Sequence, residues 1–537
     1  MVSLPQALEK VELVINSTSK AAVKTRPFLR LSAEQLEAAL SQQEGTAVFL
    51  SAPTGYGKTS LSMSIAYKEY MEGYKAIISY PLRTLIEDQY VKFRDFFTAL
   101  GMPEAVGRRM MGVRESPYLV HPVVLTTIDT LSLVAVGLSP EDIASVSRDR
   151  SLGHFLFSWG AAWLSKMVFD EVHLMFDESK SLGLLVAFLK LGLNVFGAKM
   201  VFLSATMPQA HLKTIRNALG ESREKVKELK FSEEYDREFV DDRRSKEYRI
   251  NLLSLTSENK FEELEKRLSE SKFTRALVVF NTVEDAVAFY QRINYPLKLL
   301  LHSRFSEEDK KEKFETLKRL SSNGSKFVLV ATQTVEAGVD VSSDLIITEL
   351  APASSLVQRF GRFLRRPGER CVDPENCAYV WYEEDQLDID KQVYKVYQAD
   401  LCKNTLSFLD QKPDLNLHID YDVFLDGVYR ESDARFSVSY VRKIIDVYNN
   451  LLNPTKRVIE LLIQHEGSLL RSGALFRAET TDGVVVPVDY NLLWRHCVGD
   501  CPKTMNEAIE RSLADMGEGP APFKIKCTYN RELGLVC

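Results

Sequence analysis

The chain is predicted to be an α/β protein with two parallel-sheet domains in tandem and a smaller mixed domain after them. Three observations carry this. Short apolar strands alternate with helical stretches in two separate series, a glycine-rich loop follows the first strand of the first series only, and the alternation breaks down after about residue 385. At 537 residues the chain is too long for one core, and a prior of ~150 residues per domain suggests three or four.

The first series places strands at 47–51, 75–80, 122–126, 166–170 and 199–203. Their continuous apolar character points to strands covered on both faces. From about 220 to 247 the chain is dominated by Glu, Lys, Arg and Asp and reads as a solvated linker. A second series follows at 249–255, 275–280, 297–301, 326–331 and 344–350, with helices over 258–271 and 306–320. Beyond it come a helical stretch around 390–410 and a β-rich patch around 475–490. The expected divisions are an extension over 1–24, a first domain over 25–225, a linker over 226–248, a second domain over 249–390 and an accessory domain over 391–537.

Bulk properties exclude several classes. With 45% hydrophobic and 26% charged residues, and no apolar run of the ~18 residues that a membrane span needs, the expectation is a cytoplasmic protein without a membrane partner. A net charge of −6 means that any nucleic-acid path must be a local basic groove. All seven cysteines follow residue 370, unlike an evenly spaced disulfide framework. The pairs Cys371-x5-Cys377 and Cys497-x3-Cys501 could hold zinc or form disulfides, but their spacings are poor, so ordinary buried thiols are expected.

The chemistry begins at Ala52-Pro53-Thr54-Gly55-Tyr56-Gly57-Lys58-Thr59, directly after the first strand. Its glycines allow a tight turn whose N–H groups, with the following helix N-terminus, face a triphosphate. Lys58 would neutralise the β/γ-phosphates and Thr59 would offer its hydroxyl to Mg²⁺, so ATP and Mg²⁺ are the expected cofactors. Asp170-Glu171-Val172-His173 follows the fourth strand, at the carboxyl end where open α/β sheets bind ligands. Asp170 would hold Mg²⁺ and Glu171 would polarise the attacking water, although two adjacent acids also suit a helix cap. Ser204, Ala205 and Thr206 follow the fifth strand; with His173 they are candidates for passing the nucleotide state to the second domain.

In the second series Gln358-Arg359-Phe360-Gly361-Arg362-Phe363-Leu364-Arg365-Arg366 places arginines three apart on one helical face. Guanidinium groups suit phosphoryl oxygens, so Arg359 and Arg362, with Gln358, are the candidates supplied across a cleft to the transferring phosphoryl. In the 331–340 stretch Gly338 supplies a turn, and Asp340 is expected at the nucleotide ribose or the Arg362 side of the cleft.

The ordered set of the phosphate loop, Tyr80-Pro81-Leu82-Arg83-Thr84, Thr126-Thr127-Ile128-Asp129, Asp170-Glu171-Val172-His173, Ser204-Ala205-Thr206, 331–340 and 358–366 resembles a superfamily 2 helicase of the DExD/H type, over roughly residues 26 to 366. Leu301-His302-Ser303-Arg304-Phe305, Ala331-Thr332-Gln333 and 351–359 resemble the helicase component of the type I CRISPR nuclease-helicase. The resemblance implies RecA-like domains and ATP-driven 3′ to 5′ movement on single-stranded DNA. It implies strand contacts from Arg83, Thr84, Thr126 and Thr127 in the first domain, and from Thr282, Ser303, Arg304 and Thr332 in the second. Hydroxyls and amides at strand ends suit a sequence-blind track. Arg26-Pro27-Phe28 with Gln35 is a candidate adenine-facing element.

The family's metal-dependent nuclease is expected to be missing. Only some 45 residues precede the first strand, and none of the eight histidines adjoins an aspartate. The expected partners are therefore a separate HD-type nuclease subunit and a crRNA-guided surveillance complex. Two alternatives remain: an RNA or general DNA-repair helicase built on the same motor, and a nucleotide-gated scaffold that binds partners without unwinding.

Overall fold

The computed structural model describes residues 2–18, 26–42, 44–110, 113–146, 153–176, 178–336, 338–387, 392–449, 454–466, 468–470, 475–515 and 520–537. Two large sheets dominate. The first has eight strands in the order Val113–Arg114, Val106–Met110, Val123–Thr127, Ala76–Tyr80, Lys166–Phe169, Lys199–Ser204, Thr46–Ser51 and Val226–Lys230. All are parallel except Val113–Arg114, which pairs antiparallel at one edge. The second has six parallel strands in the order Lys298–Leu301, Phe327–Ala331, Arg275–Val279, Leu345–Glu349, Ala378–Glu383 and Ile250–Leu255. This is the expected pair of parallel-sheet α/β domains.

Alternation along the strands builds the cores. In Thr46–Ser51, Ala47 and Phe49 enter one hydrophobic cluster while Val48 and Leu50 enter another on the opposite face. Phe49, Phe202 and Phe169 stack across three neighbouring strands at 4.5 and 4.7 Å between centroids, which ties the registers of those strands together.

The segment read as a linker is folded. Val226–Lys230 extends the first sheet beside Thr46–Ser51, and Arg237–Arg244 is a helix that buries Phe239, Val240 and Arg243. Its surface is charged, but Phe239 and Arg243 recur at i,i+4 and form an inward face. The presumed extension is also core: Leu4, Ala7, Leu8 and Val11 of the helix Leu4–Thr18 join the first-domain cluster. A further correction concerns 391–433. Helices Ala399–Gln411 and Tyr421–Val428 bury Leu409, Phe424 and Leu425 in the second domain's core, so the accessory unit begins near Ala434.

That accessory unit packs on the first domain. Its cluster is continuous with the first-domain face that carries Phe49, and the helix Val438–Asn449 lies against Ser179–Leu191, where Tyr440 fits over Gly183. Contrary to the reading of apolar runs, Ser179–Phe196 spans 18 residues at a mean hydropathy of 1.4. Two thirds of this stretch is buried inside the protein, as befits a central helix between a sheet and a covering layer.

The cysteines also depart from expectation. Cys371–Cys377, Cys497–Cys501 and Cys527–Cys537 form disulfides, and only Cys402 is a buried thiol. Short loops bring the first two pairs together, while the third closes a hairpin that sequence spacing does not reveal.

Candidate nucleotide site between the two domains

The strand order brings Thr46–Ser51, Lys199–Ser204 and Lys166–Phe169 side by side, with Ser51 opposite Ser204 and Phe169 opposite Phe202. Their carboxyl ends therefore place the 52–59 loop, the 204–206 turn and the Asp170-Glu171 pair in one crevice. Ala52 N–H donates to Ser204 O at 3.1 Å, joining the first two. Gly55 and Gly57 take φ of 75° and 105°, and Gly57 caps the helix Lys58–Met71 in the left-handed region.

Lys58 folds back on its loop, donating to Ala52 O at 2.9 Å and Pro53 O at 3.4 Å. Burial lowers its pKa, opposed by Glu171 and Asp170 and assisted by Arg362 and Arg365. Asp170 accepts from Glu171 N at 2.9 Å. Burial and the neighbouring Glu171 push Asp170 up to about 7, while Lys58 pulls the other way. Burial opposes ionisation of Glu171 too, but Lys58, His173, Arg362 and Arg365 outweigh it and hold the carboxyl below its usual range. Glu171 also adopts φ 55°, a left-handed conformation that is costly for a side chain of this kind.

Several buried polar atoms around this crevice have no hydrogen-bond partner among the described residues: Glu171 Oε2, both ring nitrogens of His173, Thr206 Oγ1 and Gln358 Nε2. Glu171 Oε2 lies 3.4 Å from His173 Nδ1, and burial lowers the imidazole to about 4, so it is neutral near pH 7. Such orphaned groups beside a glycine loop suit a polar ligand. The oxygen donors of Thr59 and Asp170 fit Mg²⁺, a hard cation, at its phosphates. Ser204 and Thr206 form a tight turn in which Ser204 Oγ donates to Thr206 O at 2.6 Å and accepts from Thr206 N at 3.1 Å. Ala205 is buried between them.

The second domain closes the crevice directly. A β-carbon built on Gly361 would stand 2.9 Å from Thr54 Oγ1, and one on Gly338 would stand 3.3 Å from Thr84 Oγ1. The three arginines do not share a helical face, because the helix Ala353–Phe360 ends before Gly361 and Leu364 turns at φ 47°. Arg362 donates to Val335 O at 3.0 Å and Glu336 O at 2.9 Å. Burial and Arg365 lower it to about 9, against the pull of Glu171. Arg365 pairs with Asp340 at 3.1 Å.

Arg359 is a correction. It is fully buried in the second domain, donating to Glu336 Oε1 at 2.8 Å, Thr348 Oγ1 at 3.0 Å, Glu349 O at 2.8 Å, Asn281 Oδ1 at 2.9 Å and Tyr397 OH at 3.1 Å. With its donors spent, it organises the domain and has none to offer a phosphoryl group. Tyr56, grouped with the loop, turns its ring into the core and donates to Asp236 Oδ2 at 3.1 Å while accepting from Phe28 N at 3.2 Å. Phe28 is likewise buried, stacked on Tyr235 at 5.3 Å, and Arg26 pairs with Asp236 at 3.5 Å.

Among the proposed strand contacts, Thr126 is fully buried and donates to Arg109 O at 2.6 Å, which removes it from any surface. Thr127 and Thr282 cap helices by accepting from Thr130 N and Asp285 N. Thr332 is buried, 3.3 Å from Thr334 Oγ1. Arg83 and Thr84 are half-buried, Ser303 is exposed, and Arg304 pairs with Glu284 at 2.7 Å.

Arg243 was missed. From the supposed linker it donates to Arg365 O at 2.8 Å, and its Nη2 lies 3.3 Å from where a Gly55 β-carbon would sit. It thus ties the phosphate loop to the arginine turn. The signal was its i,i+4 spacing from Phe239.

Comparison with known proteins agrees with this geometry. Residues 32–215 match the family model described as DEAD/DEAH box helicase, and residues 272–368 match the one described as CRISPR-associated nuclease/helicase Cas3, C-terminal. The CRISPR-associated helicase Cas3 of Thermoproteus tenax is 27% identical over 399 residues, covering 70% of this chain and 63% of its own. The CRISPR-associated nuclease/helicase Cas3 of Methanothermobacter thermautotrophicus is 25% identical over 391 residues, covering 67% of this chain and 44% of its own. The chain thus spans less than two thirds of the length of these relatives. The fold is similar to the crystal structure of T. fusca Cas3-AMPPNP, with a TM-score of 0.64 and 16% identity over 98% of this chain and 72% of that one. It is also similar to a chain of a CRISPR RNA-guided surveillance complex, pre-nicking, with a TM-score of 0.63 and 17% identity over 98% of this chain and 71% of that one.

Proposed function

We propose that this chain, a superfamily 2 helicase of the DExD/H type similar to Cas3, is an ATP-driven translocase on single-stranded DNA. The observation that carries the reading is the seating of Gly361 on Thr54, which brings Arg362 into the field of Lys58 and Glu171. One crevice then holds a loop for the phosphates, a carboxylate for the water and a guanidinium from the other domain. Mg²⁺, held by Thr59 and Asp170, would neutralise phosphate oxygens. Lys58 would exchange its loop carbonyls for the β/γ-phosphates, Glu171 would take a proton from the attacking water, and Arg362 would stabilise charge on the transferring group. Loss of the γ-phosphate would loosen the contact at Gly361 and Gly338, so that each cycle shifts the domains relative to each other.

Movement is proposed to run 3′ to 5′, with Arg83, Thr84, Ser303 and Arg304 along the strand. The cellular role proposed is unwinding of target DNA in type I CRISPR interference, beside a crRNA-guided surveillance complex and with cleavage by a separate HD-type nuclease subunit. The similarity to Cas3 proteins supports the first part.

Single-strand-stimulated ATP hydrolysis by the chain and by Lys58→Ala and Glu171→Gln tests the reading. Both variants should lose about 10²-fold or more in rate; unchanged hydrolysis in both removes the assigned site. Duplexes with a 3′ or a 5′ tail, and DNA set against RNA of one sequence, report direction and substrate.

A further inference from the structure

A second cluster of chemistry-bearing side chains lies outside the nucleotide crevice. His496 ends the helix Tyr490–His496, Cys527 follows the strand Phe523–Ile525, and Cys537 follows Gly534–Val536. One ligand atom from each lies within 4.8 Å of the other two. The chain between the two cysteines is the hairpin Thr528–Asn530 with Gly534–Val536, which leaves the accessory sheet to grip the second domain. Tyr529 OH donates to Asp309 Oδ2 at 2.6 Å and accepts from Ser306 N at 2.9 Å. Leu533 O lies 3.0 Å from His302 Nε2, and Leu535 N donates to Arg304 O at 3.3 Å.

We propose that His496, Cys527 and Cys537 form a zinc site in the reduced chain, fastening the base of this hairpin to the accessory sheet. Two thiolates and an imidazole are a donor set that zinc favours, with a fourth position left to water. Tetrahedral Zn–S bonds of about 2.3 Å set two sulfurs roughly 3.8 Å apart, a separation inside the span that the three groups already share. The disulfide and the zinc are alternative closures of one loop. A dithiol supplies the two electrons: the S–S bond opens to two thiols, the dithiol closes to its own disulfide, and the two thiol protons leave as zinc binds. An ATP-driven motor works inside the cell, where thiols are generally kept reduced, and cysteine clusters in such proteins more often hold metal than disulfides. Only this preference between closures rests on the proposed function; the site itself rests on its three ligands.

The test is metal retention by the full chain, separate from its ATPase. The protein is reduced with excess dithiothreitol, freed of reductant under nitrogen, loaded with zinc chloride, desalted and assayed for zinc by mass spectrometry. One zinc per chain is expected, with His496→Ala and Cys537→Ser, which remove ligands outright, each lowering affinity by more than the roughly 10- to 100-fold that loss of an outer-shell partner costs. Cys497→Ser should retain it. Cys537 is exposed, so its replacement with an unchanged melting temperature separates loss of a ligand from loss of the fold. No retained zinc, equal retention by Cys537→Ser, or loss on Cys497→Ser would each overturn the assignment.

Discussion

Gly361 and Thr54 touch across the boundary between the two α/β domains, so closely that a β-carbon on the glycine would stand 2.9 Å from the threonine hydroxyl and 3.0 Å from its methyl group. Gly361 has φ −63°, which any residue adopts, so alanine there is resisted first by Thr54 of the neighbouring domain and next by the Gln358 carbonyl oxygen of its own helix, 3.1 Å from the β-carbon position. The contact lets the arginine turn reach the phosphate loop.

Gly361→Ala should therefore lower ATP turnover by about tenfold or more, since a small displacement of a positioned group costs that much. The melting temperature should move by no more than about 2 °C. Steady-state hydrolysis with calorimetry checks this, and full activity would show that the contact is dispensable.

Arg359 and Arg362 should separate cleanly. Arg359→Ala leaves Glu336 buried without its partner and should destabilise the second domain by about 3–5 kcal/mol. Arg362→Ala should instead lower kcat by about 10³-fold while ATP still binds. Denaturant titrations and single-turnover kinetics read the two effects apart; the idea fails if Arg359→Ala is fully stable yet inactive.

The hairpin contact should be sensitive to acid. Burial lowers His302 to about 3, with Arg304, Lys313 and Lys310 adding to the effect, while its bond to Leu533 O opposes it. Its Nδ1 accepts from Arg304 N at 3.2 Å, so the ring is neutral and donates from Nε2 to Leu533 O. The unfolded chain binds this proton near pH 6.5 and the folded one only near 3. Stability from this group is therefore full above about 6.5 and falls progressively as pH drops toward 3. Hydrogen exchange of residues 528–536 should accelerate over that window, and His302→Gln should flatten the response. An unchanged slope in that variant would exclude His302 as its source.

Thr126 and Arg304 divide the proposed strand track. Thr126→Val removes a buried hydroxyl bond and should cost about 1 kcal/mol of stability, with affinity for single-stranded DNA changed less than about twofold. Arg304→Ala should weaken binding and reduce the salt dependence of affinity by about one unit of slope. Fluorescence anisotropy at several salt concentrations measures both, and an equal loss in both variants would argue against this division.

Much of the two-domain fold was legible because its signals are local. Apolar runs, a glycine turn and acids at a strand end each announce themselves within about ten residues, and ten strands of the two sheets lie within a residue or two of their expected places. The strand Val226–Lys230 was hidden: an edge strand with one face toward solvent carries Glu and Lys and looks like a linker. The roles of the arginines were hidden for another reason. Residues 359, 362 and 365 look equivalent in a helical pattern, yet the helix stops at Phe360, and only the packing around Glu336 and Asn281 shows which guanidinium is already spent.

By itself the amino-acid sequence determined two parallel sheets, a glycine loop after the first strand, an acidic pair at a strand end and the resemblance to DExD/H helicases, since each is written in short local patterns. Tertiary structure alone decided that Arg362, and not Arg359, faces the crevice. It also decided that the charged segment 226–244 is part of the first domain, and that a hairpin closed by Cys527 and Cys537 spans from the accessory sheet to His302. Several of those relationships join residues far apart in the chain, such as Ala47 beside Val226 and His302 beside Leu533, 231 positions away, and burial with hydrogen-bond satisfaction is a property of the folded neighbourhood that no local pattern encodes.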